Sequence, residues 1–182
     1  MIRFITQIEN LRIGVATESG KHYFRFSKVL KDLGINFDSI LPSQIQNFDG
    51  DLILTTHNEA PNNSFTPLLF NDITSKHPFV IKGLIIQKLD SGLNENSLVL
   101  GIDPGKRIGL SVYYLGYQIA NSFFVSTDKL VETLVTIMAE LRAQKKILKI
   151  GNGDMIIANK IVQLLNLKFC SNFEIEFVDE RN

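Results

Sequence analysis

Leu98-Val99-Leu100-Gly101-Ile102 is an apolar run that stops at Asp103-Pro104-Gly105, and no other stretch limits the fold of this chain so tightly. Such a run, bounded by a turn signal, predicts a strand buried on both faces. Asp103 is then the first polar side chain at the exit of the strand. Desolvating a carboxylate there is costly unless a cation or hydrogen-bond donors stand close by. Two readings are open at this point: Asp103 is a metal ligand presented at a strand end, or it opens an Asp-Pro turn.

The chain has 182 residues, 45% of them hydrophobic, enough for one large domain or two small ones with a real core. Lys and Arg number 19, as do Asp and Glu, so no global basic field draws in a polyanion and any nucleic-acid contact must come from a local patch. The single cysteine, Cys170, excludes an internal disulfide and a cysteine-rich zinc site. It fits a reducing, cytoplasmic setting. The first residues, Met1 to Glu9, carry no sustained apolar core or small-residue cleavage site, and no run nears the roughly 18 apolar residues of a membrane span. The expectation is a soluble protein that is neither secreted nor embedded in a membrane.

The first half alternates strand and helix signals. Leu11 to Thr17 suits a strand, and Phe24, Phe26, Val29, Leu30 and Leu33 recur at helical spacing until Gly34. Ile35–Leu41 and Asp51–Thr56 read as further strands, giving a parallel β-α-β unit plus one strand. Asn58–Ser64 reads as a loop, and Pro78 opens a helix through Leu89. A domain boundary near residues 93–94 is expected, with a small open α/β domain over 1–93 and a second domain over 94–182.

The second half opens as a meander. Ser97–Asp103, Arg107–Leu115 and Tyr117–Ser126 read as strands, with a tight hairpin around Leu115-Gly116-Tyr117. Thr127 and Asp128 offer caps to a helix through about Gln144, followed by a strand at Ile147–Ile150, a helix at Met155–Leu167 and a last strand at Phe173–Val178. Hairpins make the first three strands antiparallel, and crossovers return the fourth and fifth parallel to the first. The exits of strands one, four and five therefore share one edge, which carries Asp103, Asp154 of Gly151-Asn152-Gly153-Asp154, and Asp179-Glu180. Ligands of α/β sheets gather at such edges. Clustered carboxylates are relieved by hard cations, Mg²⁺ or Mn²⁺, which also suit phosphoryl transfer.

Gly101-Ile102-Asp103-Pro104-Gly105, then Arg107-Ile108-Gly109-Leu110-Ser111-Val112, with Val178-Asp179-Glu180-Arg181 near the end, resembles the RNase H-like nucleases of the RuvC and YqgF-like Holliday-junction resolvase group. The resemblance covers about residues 97–182. It implies an α/β fold with a mixed sheet of order 3-2-1-4-5 and flanking helices. It further implies metal-dependent cleavage of structured or branched DNA or RNA, with Asp103 as first-strand ligand of Mg²⁺ or Mn²⁺ and Asp179 or Glu180 as the last-strand acid. Resolvases of this kind cut paired strands as dimers, so a homodimer is carried over as well. Two departures stand against the pattern. The family places a carboxylate at the fourth strand, where this chain has Asn152 and reaches Asp154 only at the next helix. A further helix brings another acid in the family, whereas this sequence stops at Asn182. The given sequence therefore lacks its natural end or the protein has lost a ligand, and the alternative is an inactive nucleic-acid-binding or protein-interaction module of the same fold.

Other motifs carry less. Lys106 and Arg107 directly follow the Asp-Pro-Gly turn and are candidates to hold phosphates, while Lys145 and Lys146 read as a solvated helix end. Asp154 reads first as a helix N-cap and second as a ligand. Gly14-Val15-Ala16-Thr17-Glu18-Ser19-Gly20-Lys21-His22 approaches a phosphate-binding loop, but five residues separate its glycines and His22 replaces the Ser or Thr that would face Mg²⁺. It leaves nucleotide binding at the first strand-helix turn as a third hypothesis. His22, His57 and His77 lack metal-ligand spacing.

Overall fold

The computed structural model describes residues 11–89, 96–169 and 172–179. They fall into two compact units, divided between residues 89 and 96. The chain is mixed α/β, with one sheet in each unit.

In the first unit the sheet has the order β2-β1-β3-β4, formed by β1 (Ile13–Ala16), β2 (Phe37–Ile40), β3 (Leu52–Thr55) and β4 (Leu68–Phe70). All of its pairings are parallel. β1 and β3 are buried at every position, as central parallel strands covered on both faces must be. On one face α1 (Gly20–Asp32) and α2 (Pro78–Leu89) bring Phe26, Leu30, Ile81 and Ile85 against Ile13, Val15, Leu52 and Leu54. On the other, Ile45 from a 3-10 helix at Pro42–Asn47 packs with Ala16 and Ile53. Ser19 caps α1, and Gly34 leaves it with φ +70, a conformation that favours glycine. β4 is the strand absent from the sequence-based expectation. It is three residues long, too short to show a period.

The first unit is tied at its strand exits by Glu59. Its Oε2 accepts from the hydroxyls of Thr17 (2.7 Å) and Thr56 (2.6 Å), and its Oε1 from the amide of Glu18 (2.7 Å). Burial pushes the carboxyl pKa up, but the bonds from Thr56, Thr17 and Glu18, helped by the charge of His22, outweigh it and hold the group below its usual value.

The second unit is built on a five-stranded sheet of order β7-β6-β5-β8-β9. Its strands are β5 (Ser97–Asp103), β6 (Ile108–Tyr114), β7 (Tyr117–Phe124), β8 (Lys145–Gly151) and β9 (Glu174–Val178). β5, β6 and β7 are antiparallel neighbours, and β8 and β9 run parallel to β5. Leu115 and Gly116, both at positive φ, make the two-residue hairpin between the paired Tyr114 and Tyr117. α3 (Thr127–Glu140) packs against α4 (Met155–Lys168). Leu130, Leu134, Ile137, Ala158, Ile161 and Leu165 form the buried side of the two helices, and Leu98, Leu100, Ile102, Leu110, Val112, Leu148 and Ile150 that of the sheet.

Three expectations are corrected here. β5 is not buried on both faces: Leu98, Leu100 and Ile102 are buried, whereas Val99 and Gly101 are half-buried and Asp103 is exposed. α3 is capped by Ser126 rather than by Thr127 or Asp128, and it ends at Glu140 because Leu141 is extended and the Gln144 amide bonds to Asn96. Lys145 and Lys146 consequently lie on β8 instead of a helix end. Lys145 pairs with Glu174, and Lys146 donates to the Met138 carbonyl and lies over Phe169.

The Glu59 tie gives a pH-dependent prediction. A carboxylate with a lowered folded pKa stabilises above the unfolded value, and that contribution is lost as pH falls through the folded one. Glu59→Gln should therefore be less stable than wild type at neutral pH, by about 1.5–3 kcal/mol for charge-assisted bonds, with the gap closing in acid. Denaturant melts across pH check this, and a gap that stays constant contradicts it.

Candidate functional site

Register decides what meets at the exit edge of the second sheet. Ile102 of β5 pairs with Ile150 of β8, and Gly151 pairs with Val178 of β9. Asp103, Gly151 and Val178 thus end three adjacent parallel strands at nearly one level. Asp103 and Val178 are two strand spacings apart, roughly 10 Å.

The face of the sheet away from the buried side chains holds an open groove of about 450 Å³. Gly101, Gly109 and Ser111 are part of its lining, with Asp103, Asn121, Phe123 and Lys149 around them. Alternation along the strands explains the set: Gly101 and Asp103 share a parity, their partners Ser111 and Gly109 share it across β6, and Asn121 and Phe123 continue it on β7. The floor is low because two of its positions are glycine, and an added side chain would displace its neighbours. A Cβ on Gly101 would stand 2.6 Å from Ser111 Oγ, and one on Gly109 would stand 3.3 Å from Asp103 Cβ.

Asp103 is exposed, and no described residue hydrogen-bonds or ion-pairs with its carboxylate. Lys106 and Arg107, exposed just beyond, likewise have no ion-pair partner among the described residues. The Arg107 guanidinium lies 5.8 Å from the ring centroid of Phe123. Lys149, by contrast, is paired with Glu176 at 3.0 Å, both about half exposed, a pair worth at most about 1 kcal/mol.

The remaining predicted acids are placed differently. Asp154 is the N-cap of α4, its Oδ1 accepting from the amides of Ile156 and Ile157 at 3.1 Å each. Asp179 sits one residue beyond Val178, at the opposite parity to the groove, and its Oδ1 accepts from Asn152 Nδ2 at 3.2 Å. Asn152 also donates its amide to the Val178 carbonyl, so the exits of β8 and β9 are bonded to each other. Glu180 lies outside the described residues. Among the described residues no three His, Cys, Asp or Glu side chains form a group able to hold a metal ion. The donors available at the edge are nonetheless hard oxygens, the carboxylates of Asp103 and Asp179, with no thiolate or imidazole, which is the chemistry of Mg²⁺ and Mn²⁺ sites.

Sequence reasoning passed over Asn121 and Phe123, although their i, i+2 spacing on a predicted hairpin strand was the signal. The Asn152–Asp179 bond had no such signal, because it joins residues 27 positions apart.

No protein-family model matches the chain, and no curated protein matches it. No helix among the described residues is long and apolar enough to cross a membrane.

Asp154 can be tested in both of its roles. Asp154→Ala should cost about 0.5–2 kcal/mol by removing the cap, and Asp154→Asn should restore most of it. A metal-induced stabilisation that survives in Asp154→Asn assigns the residue to the helix; its loss there assigns it to the ion.

Proposed function

We propose that residues 97–182 act as an RNase H-like, divalent-metal-dependent nuclease domain on structured or branched nucleic acid. The observation that supports this reading best is the Asp103 carboxylate at the exit of the central strand, without a partner among the described residues, beside a low groove and two cations with no ion-pair partner among them. Asp103 would hold the ion, with Glu180, or Asp179 once released from Asn152, as the last-strand acid that the resemblance implies. An ion of this class supplies water activation and charge neutralisation at a scissile phosphate. Asp103 would orient it from the central strand, the fixed end of the edge. Lys106 and Arg107 would bind flanking phosphates, which position a strand without reading its sequence, and the glycines of the groove would let a sugar-phosphate backbone approach the sheet. Homodimerisation belongs to the same reading through the resemblance, and sedimentation tests it.

The second reading, a module that binds nucleic acid without cutting it, is favoured by one feature. Where the family has a carboxylate at the fourth strand, this chain has an amide bonded to Asp179, and the nearest acid, Asp154, caps a helix.

Cleavage of four-way junctions and plain duplexes with Mg²⁺ or Mn²⁺ separates the two. The nuclease reading expects cutting by wild type and a loss of at least about a hundredfold in Asp103→Asn, the scale of removing one charged transition-state contact. Equal rates in both proteins defeat it. Absence of both cleavage and Mn²⁺-induced stabilisation, with salt-sensitive binding retained, selects the binding module. In either case Lys106→Ala and Arg107→Ala should each weaken binding across sequences and reduce the slope of log K against log salt by about one. An unchanged slope removes these residues from the interface.

A further inference from the structure

The first unit has a polar cavity of its own. In the order β2-β1-β3-β4 the chain leaves β1 toward β2 and returns to β3 on the other side of β1, so the crossovers diverge at the β1/β3 boundary. A crevice opens at the strand exits of such a switch point. Here it measures about 450 Å³, and Ser19, Thr56, His57, Glu59, Asn71 and His22 are part of its lining.

The loop that approaches a phosphate-binding motif borders this cavity, and the structure shows what fills it. Where a phosphate would meet the turn between β1 and α1, the Glu59 carboxylate accepts from the Glu18 amide and the Thr17 hydroxyl. The Ser19 amide is turned to Thr17 Oγ1 at 3.1 Å. The anion seat is thus occupied by the protein's own carboxylate, whose charge repels a second anion. This argues against the nucleotide-phosphate hypothesis drawn from the sequence.

The same carboxylate makes the cavity attractive to donors. A carboxylate offers about four acceptor positions; Oε2 of Glu59 uses two and Oε1 one. One position on Oε1 is left. His57 adds a flat surface, stacked on Phe70 with centroids 3.9 Å apart and planes at 18°, while the residue remains exposed. A neighbouring amide, Asn58, also lines the cavity.

We propose that this cavity binds a neutral ligand carrying a vicinal diol next to a flat ring, as in a ribonucleoside. The diol donates to the open position of Glu59 and meets the Asn58 amide, and the ring extends the His57–Phe70 stack. A free sugar shares the diol chemistry without the ring, so the test separates the two sources.

Titration calorimetry on the full chain with adenosine, 2′-deoxyadenosine, methyl riboside, adenosine 5′-monophosphate and inorganic phosphate decides the matter. Adenosine should bind, 2′-deoxyadenosine about tenfold or more weaker for loss of a donor to a charged acceptor, and the monophosphate no tighter than adenosine. His57→Ala should weaken adenosine and leave the riboside unchanged. Glu59→Gln should abolish the preference for the diol; because Glu59 also ties the fold, the His57 variant keeps the test decisive if the Glu59 variant unfolds. Three results overturn the proposal: no binding of adenosine or riboside at millimolar concentration, equal affinity for adenosine and its 2′-deoxy form, or tighter binding of phosphate or the monophosphate. A riboside that binds as tightly as adenosine overturns the stacked ring.

Discussion

β5 is hydrogen-bonded along both edges, to β6 and to β8, and its Leu98, Leu100 and Ile102 are buried. Each such side chain contributes about 1.5–3 kcal/mol on burial, against at most about 1 kcal/mol for the surface pairs Lys145–Glu174 and Lys149–Glu176. Apolar burial on one face of one strand therefore sets the register of the second sheet. A slip by one residue would turn all three apolar side chains outward and Asp103 inward, where its charge has no partner. The position of Asp103 at the edge follows from the packing of the strand before it. A carboxylate held in this way, on a fixed strand and without a bond from any described residue, is available to something outside the chain.

The two sheets present contrasting solutions to the same problem. In each, parallel strands end on one edge and leave backbone donors and acidic side chains together. In the first unit Glu59 is saturated on three of its positions and keeps the strand exits closed by internal bonds. In the second, Asp179 is bonded to Asn152 but Asp103 is left open. The first carboxylate is a structural tie with spare capacity for a hydroxyl; the second is unspent. Their difference in hydrogen bonding separates the proposed neutral-ligand cavity from the proposed cation and phosphate edge.

Much of this was legible in the sequence because it depends on local period. The apolar runs at 98–102 and 147–150, the Leu115-Gly116 turn and the helical stripe through Leu130, Leu134, Ile137 and Met138 specify strand, hairpin and helix without reference to distant residues. Connection rules then give the five-strand order. What could not be read depends on tertiary contacts. Glu59 reaches Thr17 across 42 positions, and nothing in either segment announces the other. α3 stops short of Gln144 because Asn96 captures the Gln144 amide. The open face of β5 is hidden in the strand itself, since Val99 and Gly101 are as apolar as their neighbours; Ser111 and Lys149, the partners of Gly101 on the two adjoining strands, show that this face is polar.

Asp103 is proposed to anchor a hard-cation site at the strand exits of the second sheet. Mn²⁺ broadens the amide resonances of nearby nuclei, so titrating it into ¹⁵N-labelled protein locates the ion directly. Selective broadening of residues 101–105, 151–153 and 178–179 is expected, abolished by Asp103→Asn while the other resonances stay in place. Broadening centred elsewhere, or the same broadening in Asp103→Asn, would contradict it.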